Sequence, residues 1–147
     1  MNKFEKKYYS NTESEGIMYN DVKLFLMVNN IKKNMLHNIL LAVSEGFTNA
    51  LVHGNNYDKN KMIKINIEVN NNNVNADIID EGEGAIMAIS SRVPSDYMKE
   101  GGRGIDLINH YADKVALKND DKTGGLHLSM KFNKSRYSDQ IWQKSNS

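Results

Sequence analysis

Glu45 and Asn49 stand four residues apart in the segment AVSEGFTNALVHG (Ala42 to Gly54), and His53 follows four further on. On a helix these three lie along one slowly drifting stripe. A carboxylate one turn from an amide oxygen can polarise a water or hydroxyl while the amide binds a hard cation. Magnesium suits such a place, because it takes oxygen ligands and keeps waters and substrate phosphates for the rest of its shell. Read alone, the Glu45–Asn49 spacing also suits a solvated helix face, and His53 alone suits a helix end.

Two glycine-bearing blocks follow. In IIDEGEG (Ile78 to Gly84), Asp80 ends an apolar run and precedes Gly82 and Gly84. A carboxylate at a strand end can accept a hydrogen bond from an exocyclic amine such as that of adenine, and glycines let the backbone approach a flat base. An ordinary turn uses the same residue types. In GGRGIDL (Gly101 to Leu107), Gly101, Gly102 and Gly104 open a helical pattern, and Arg103 adds a fixed cation. Free N–H groups at a helix start favour phosphate, although a flexible loop leading into a helix reads the same way. No Gly-x-x-x-x-Gly-Lys-Ser/Thr run and no dinucleotide fingerprint occurs, which excludes the conventional phosphate loops.

These blocks need elements to carry them. Val22 to Val28 is a short apolar run that fits a strand, and Asn29 and Asn30 offer a cap for the helix after it. From Ile31 to about His53, apolar residues recur at three and four, the pattern of an amphipathic helix that Gly54 stops. Lys61 to Val69 alternates, and after an asparagine turn Val74 to Ile79 completes a hairpin. Ala85 to Glu100 has no sustained period and holds the only proline, Pro94, so a loop is expected. A short helix through Ile105, Ile108 and Ala112 follows, then a second hairpin of Lys114 to Lys118 with Leu126 to Phe132 around NDDKTGG. Strands joined mostly by hairpins, with helices free to cover one face, predict an α+β fold, a two-layer α/β sandwich. Residues 21–133 form the expected domain, between a polar leader (1–20) and a polar tail (134–147) whose Trp142 reads as a packing residue or chain end.

Composition sets the outer limits. The chain has 147 residues, 39% hydrophobic and 25% charged, which suits one globular domain. A formal net charge of +1 gives no bulk drive toward nucleic acid or acidic membrane, so neither is an expected partner. The absence of cysteine removes disulfides, thiolate zinc sites and cysteine nucleophiles, and suits a reducing compartment. The lysine-bearing N-terminus lacks the apolar run of a signal peptide, and no segment has membrane-spanning length; a cytoplasmic location is expected.

Taken in order, the three blocks resemble the Bergerat-type ATPase superfamily of histidine kinases, gyrase and MutL, most closely its anti-sigma-factor serine kinases. The likeness runs from about Val22 to Phe132, with AVSEGFTNALVHG similar to that branch's N box, IIDEGEG to its first glycine box and GGRGIDLINHYADKV to its second. The resemblance implies a histidine kinase-like ATPase fold, with a mixed, mostly antiparallel sheet and helices on one face, binding ATP and Mg2+ under a lid. It places the general base on Glu45, the magnesium ligand on Asn49 and the adenine contact on Asp80, with Gly82 and Gly84 beside the base. Gly102 and Gly104 would border the lid, Ala85 to Glu100, and the phosphates. One departure stands out: the family carries a Gly-Thr pair in the final hairpin, with its threonine near the adenine pocket, whereas here Thr123 precedes Gly124 and Gly125.

The resemblance further implies a protein serine kinase that phosphorylates a STAS-type anti-sigma-factor antagonist, sequesters a sigma factor and forms a homodimer. An ATP-binding partner-switching module with little or no transfer is the alternative. A detached sensor histidine kinase catalytic domain ranks third, because His37 lies within the N-box helix itself and the chain has no room for a dimerising helical hairpin.

Overall fold

The computed structural model describes residues 2–82 and 102–137, the residues 102–104 as backbone. The elements run β1 (Lys3–Tyr9), α1 (Glu13–Val28), α2 (Lys33–Asn49), a π-helical turn (Ala50–Gly54), β2 (Met62–Val69), β3 (Asn73–Ile79), α3 (Gly102–Tyr111), β4 (Lys114–Asn119), β5 (Leu126–Asn133) and a 3-10 turn (Lys134–Tyr137). The strands form one sheet in the order β1-β2-β3-β5-β4, and all four pairings among the described strands are antiparallel.

Period-two patterning decides which side of the sheet is covered. In β2, Ile63, Ile65, Ile67 and Val69 are buried while Lys64, Asn66 and Glu68 face the other way. The register aligns these rows across strands: Ile65 lies opposite Ile78 and Ile67 opposite Ala76, while Ile78 faces Leu128 and Val74 faces Phe132. Onto that face α2 lays Met35, Ile39, Ala42, Val43, Gly46 and Phe47, with α1 and α3 packed against its flanks. Burying each of these large aliphatic side chains contributes about 2 kcal/mol, so the two-layer sandwich is held by its apolar interlayer.

Several expectations change. The run Val22 to Val28 is the end of helix α1, not a strand: Met18, Val22, Phe25 and Leu26 are buried at helical spacing, while Leu24, Met27 and Val28 are exposed. Apolar residues on the solvent side of α1 hid its period. Asn29 and Asn30 accordingly end α1 instead of starting α2. The Asn29 side-chain amide donates to the Phe25 carbonyl at 2.9 Å and Asn30 takes the left-handed conformation, φ 59°.

Nor is the stretch 1–20 a leader outside the domain. β1 forms the sheet edge against β2, with Phe4 packed on Phe25 and Tyr8 edge-on to Phe47. The tail also begins inside the fold, where Tyr137 is buried and accepts a hydrogen bond from the Asn38 amide at 2.8 Å. Trp142 lies outside the described residues.

Candidate functional site

The helix carrying Glu45 and Asn49 changes pitch as it leaves Asn49. From Ala50 to Gly54 the backbone widens into a π-helical turn, closed by the Asn55 amide donating to the Ala50 carbonyl at 2.7 Å. Such turns recur at functional sites because they re-aim the side chains around them. The Asn49 side-chain nitrogen is buried without a hydrogen-bond partner among the described residues. Glu45 is half-buried one turn earlier, and His53 is exposed at the helix end, in keeping with the helix-end reading of that residue.

Asp80 follows β3 and is 2% exposed. Its Oδ1 accepts hydrogen bonds from the Gly82 and Leu126 backbone amides, each at 2.9 Å. Burial raises its carboxyl above the ordinary aspartate value, and those two amides oppose the shift. The backbone crowds this side chain: a methyl group added at Gly54 or Gly125 would overlap Asp80, and one at Gly82 would overlap the Gly54 carbonyl. Glycine is required at those three positions by close approach.

Asn49 and Asp80 meet in one narrow cavity of about 20 Å³, whose other walls are Gly46, Ala50, Ile78, Ile105, Leu117, Leu126 and Leu128. A carboxylate and an amide at the edges of an apolar slot suit a planar base bearing a polar edge, and such a base enters only as the walls part. Glu45 and Thr123 do not line the cavity. Thr123 stands behind Asp80, its hydroxyl donating to the Asp80 carbonyl at 2.8 Å and accepting from the Gly125 amide at 3.1 Å. The inverted order of threonine and glycines therefore still ties the hydroxyl to the Asp80 loop. A wider depression of about 410 Å³ lies beyond Thr123, between Lys7, Lys64, Lys118 and Lys122 on one hand and Glu81, Asp120 and Asp121 on the other. Neither Asn49 nor Asp80 reaches it, so the smaller cavity is the one with the chemistry.

Gly102, Arg103 and Gly104 form the first turn of α3 and not a loop before it. At its far end, Asp113 accepts from the Asn133 amide at 2.7 Å and lies 3.4 Å from Arg136, which ties α3 to the end of β5. Gly84, Gly101 and the expected lid, Ala85 to Glu100, lie outside the described residues.

The residues present fit a nucleotide-borne magnesium ion. Among the described residues no group of three or more His, Cys, Asp or Glu forms a metal cage, so an ion here would depend on phosphate oxygens, with the side-chain oxygen of Asn49, which lines the slot, as its protein ligand. The unpartnered Asn49 nitrogen is a hydrogen-bond donor and suits a phosphate oxygen or a base acceptor, not the ion.

A model of the histidine kinase-like ATPase domain matches residues 21–132. The chain belongs to that family. Its members similar to this chain include the anti-sigma F factor of Geobacillus thermodenitrificans (strain NG80-2), 24% identical over 127 residues, covering 84% of this chain and 87% of the relative. The anti-sigma F factor of Clostridium perfringens (strain SM101 / Type A) is 25% identical over 134 residues, covering 88% and 95%. The histidine kinase-like ATPase fold also appears in a crystal structure of RsbU and RsbW domains from Mycobacterium tuberculosis. That chain superposes with a TM-score of 0.67 at 15% identity, over 90% of this chain and 32% of the other. No helix among the described residues is long and apolar enough to cross a membrane.

Sequence reasoning missed Gly54, Gly125 and Asn55. The glycines were readable only as a helix stop and a turn, because their closeness to Asp80 exists only once the π turn and two hairpins have come together. Asn55 is 2% exposed, and nothing in the string HGNNYD marks it as buried.

Proposed function

We propose that this protein is an ATP-dependent protein serine kinase and anti-sigma regulatory factor, phosphorylating a STAS-type antagonist and sequestering a sigma factor. The observation that carries the reading is the convergence of Asn49 and Asp80 on one apolar slot. Asp80 would accept a hydrogen bond from the adenine amine, with Gly82 and Gly84 beside the base. Asn49 would hold Mg2+, which when bound neutralises charge on the phosphates. The first turn of α3, with Gly102, Arg103 and Gly104, would offer backbone N–H groups and a cation to the phosphates. The similarity to anti-sigma F factors supports the extension to a sigma factor and its antagonist.

In this reading Glu45 is the general base. The substrate serine oxygen bonds to the γ-phosphorus, its proton passes to the Glu45 carboxylate, and the bond from the γ-phosphorus to the bridging oxygen breaks, leaving that oxygen on ADP. A surface for protein partners, a second copy among them, is available on α1, where Ile17, Leu24, Met27 and Val28 are 50%, 64%, 54% and 61% exposed.

One observation favours the second reading, an ATP-binding switch with little transfer: Glu45 is not a wall of the cavity that Asn49 and Asp80 share. Incubation with γ-labelled ATP and purified STAS-domain proteins separates the two. Phosphoserine on a STAS protein is the expected result. Nucleotide-dependent complex formation without label transfer would support the switch, and failure to bind ATP would sink both.

A further inference from the structure

The peptide unit between Asp80 and Glu81 is held by a side chain at each of its polar atoms. Its carbonyl accepts from the Thr123 hydroxyl at 2.8 Å, and its N–H, on Glu81, donates to the Asn55 side-chain oxygen at 2.7 Å. A peptide unit held at both polar atoms is restrained from turning, and the backbone it fixes leads directly to Gly82, whose N–H donates to the Asp80 carboxylate at 2.9 Å and orients it. Asn55 is itself fixed. Its amide nitrogen donates to the Ser10 hydroxyl at 2.9 Å and the Met62 carbonyl at 3.0 Å, and its backbone N–H closes the π turn on Ala50. Ser10 is in turn anchored on the Lys61 carbonyl at 2.5 Å. The amide is thus satisfied on both sides in a buried setting, where an orphaned partner costs more than the bond contributes.

We infer that Asn55 is a positioning residue for the nucleotide site, fixing the Asp80–Glu81 peptide so that the Asp80 carboxylate faces the base. This inference rests on the nucleotide reading of the slot. It also gives the N-terminal strand a part in the site, since Ser10, just past β1, is hydrogen-bonded to the same amide. Thr123 restrains the peptide from the β4–β5 turn and Asn55 from the end of α2, so two segments far apart in sequence set one torsion.

The test compares two substitutions that remove the same Asn55–Ser10 bond with different consequences for Glu81. Asn55→Ala removes the acceptor from the Glu81 N–H, whereas Ser10→Ala leaves that bond in place. With ADP and GDP as probes, calorimetry on the full chain well below the melting temperature should show ADP affinity about tenfold weaker for Asn55→Ala and within twofold of wild type for Ser10→Ala. Both variants should melt earlier. The preference for ADP over GDP should shrink only in Asn55→Ala, which a purely structural role would not produce. If Asn55→Ala does not fold, Asn55→Ser replaces it and carries the same expectation. Unchanged ADP affinity and preference in the folded Asn55 variant would overturn the inference, as would an equal loss in Ser10→Ala. A wild-type protein that binds no ADP would overturn the nucleotide reading and the inference with it.

Discussion

At the Asp80 end of the slot, Oδ1, the backbone carbonyl and the neighbouring amide all have partners, and two glycines, Gly54 and Gly125, bring backbone against the residue. At the Asn49 end a buried amide nitrogen has no partner among the described residues. The first end is finished by the fold. The second keeps a hydrogen-bond donor open at the start of a π turn, which is what an edge facing phosphate oxygens requires, because bonds already satisfied within the protein would have to break before a ligand could bind. Base recognition should therefore depend on rigidity, and phosphate chemistry on ligand and metal.

The largest effect should come from the open end. Glu45→Gln is expected to lower phosphotransfer to a STAS protein by at least about 100-fold while leaving ADP affinity within twofold, since a general base acts only in the transition state. Equal transfer by variant and wild type, followed with labelled ATP, would break the contrast at its functional core.

Next is Gly125→Ala at the finished end. The added methyl must displace Asp80 or the β4–β5 turn, so overpacking of about 1–3 kcal/mol should lower the melting temperature by several degrees and weaken ADP binding more than tenfold. A variant with wild-type affinity would show that the close approach is incidental.

Asp80→Asn tests whether that end is built for function at the expense of stability. Asparagine keeps an oxygen for the Gly82 and Leu126 amides and loses the buried charge, so the apo protein should melt at the same temperature or somewhat higher while ADP affinity falls about tenfold. The pH dependence runs the same way. Because the Asp80 carboxyl is raised in the folded chain, the fold binds its proton more readily than the unfolded chain, and this group makes the apo fold less stable as pH rises through the raised value. Acidification toward the ordinary aspartate range should relieve that penalty while weakening ADP binding, because the ionised carboxylate is the better acceptor for an amine. Melting and binding curves moving in the same direction would refute the assignment.

Asn49→Ala should give the smallest change. ATP affinity in magnesium should fall about fivefold, ADP affinity without magnesium should hold, and thermal stability should not drop, because the deleted nitrogen leaves no partner unpaired among the described residues. A marked loss of stability would mean that the Asn49 end is structural after all.

The two ends were not equally legible. Glu45–Asn49 is a spacing within one helix, and the helix was clear from the recurrence of Met35, Ile39, Val43 and Phe47, so the stripe could be drawn from the sequence. The π turn after it could not, since widening a helix by one residue leaves no periodic trace over five positions. Asp80 was readable as the end of a strand, but the residues that fix it come from position 54, 55, 82, 123, 125 and 126, and no local pattern joins them. Elsewhere the errors had one source. Val22 to Val28 read as a strand because Leu24, Met27 and Val28 are apolar yet exposed, and β1 read as a leader because its lysines outweigh Phe4 and Tyr8. Lys6 lies 2.6 Å from Asp21 on α1, and such a charge on a strand is intelligible only when its partner is known.

By itself the sequence determined the two hairpins, the long amphipathic helix, the α+β class and the order of the three blocks, because alternation and helical period are local and the buried face writes them directly. Tertiary structure alone decided that the N-terminal strand joins the sheet, that α1 is a helix with an apolar outer face, and that Asn55 and Thr123 hold the Asp80–Glu81 peptide. Those outcomes depend on which distant groups neutralise a charge or satisfy a buried amide, and such pairings form only when the chain closes on itself.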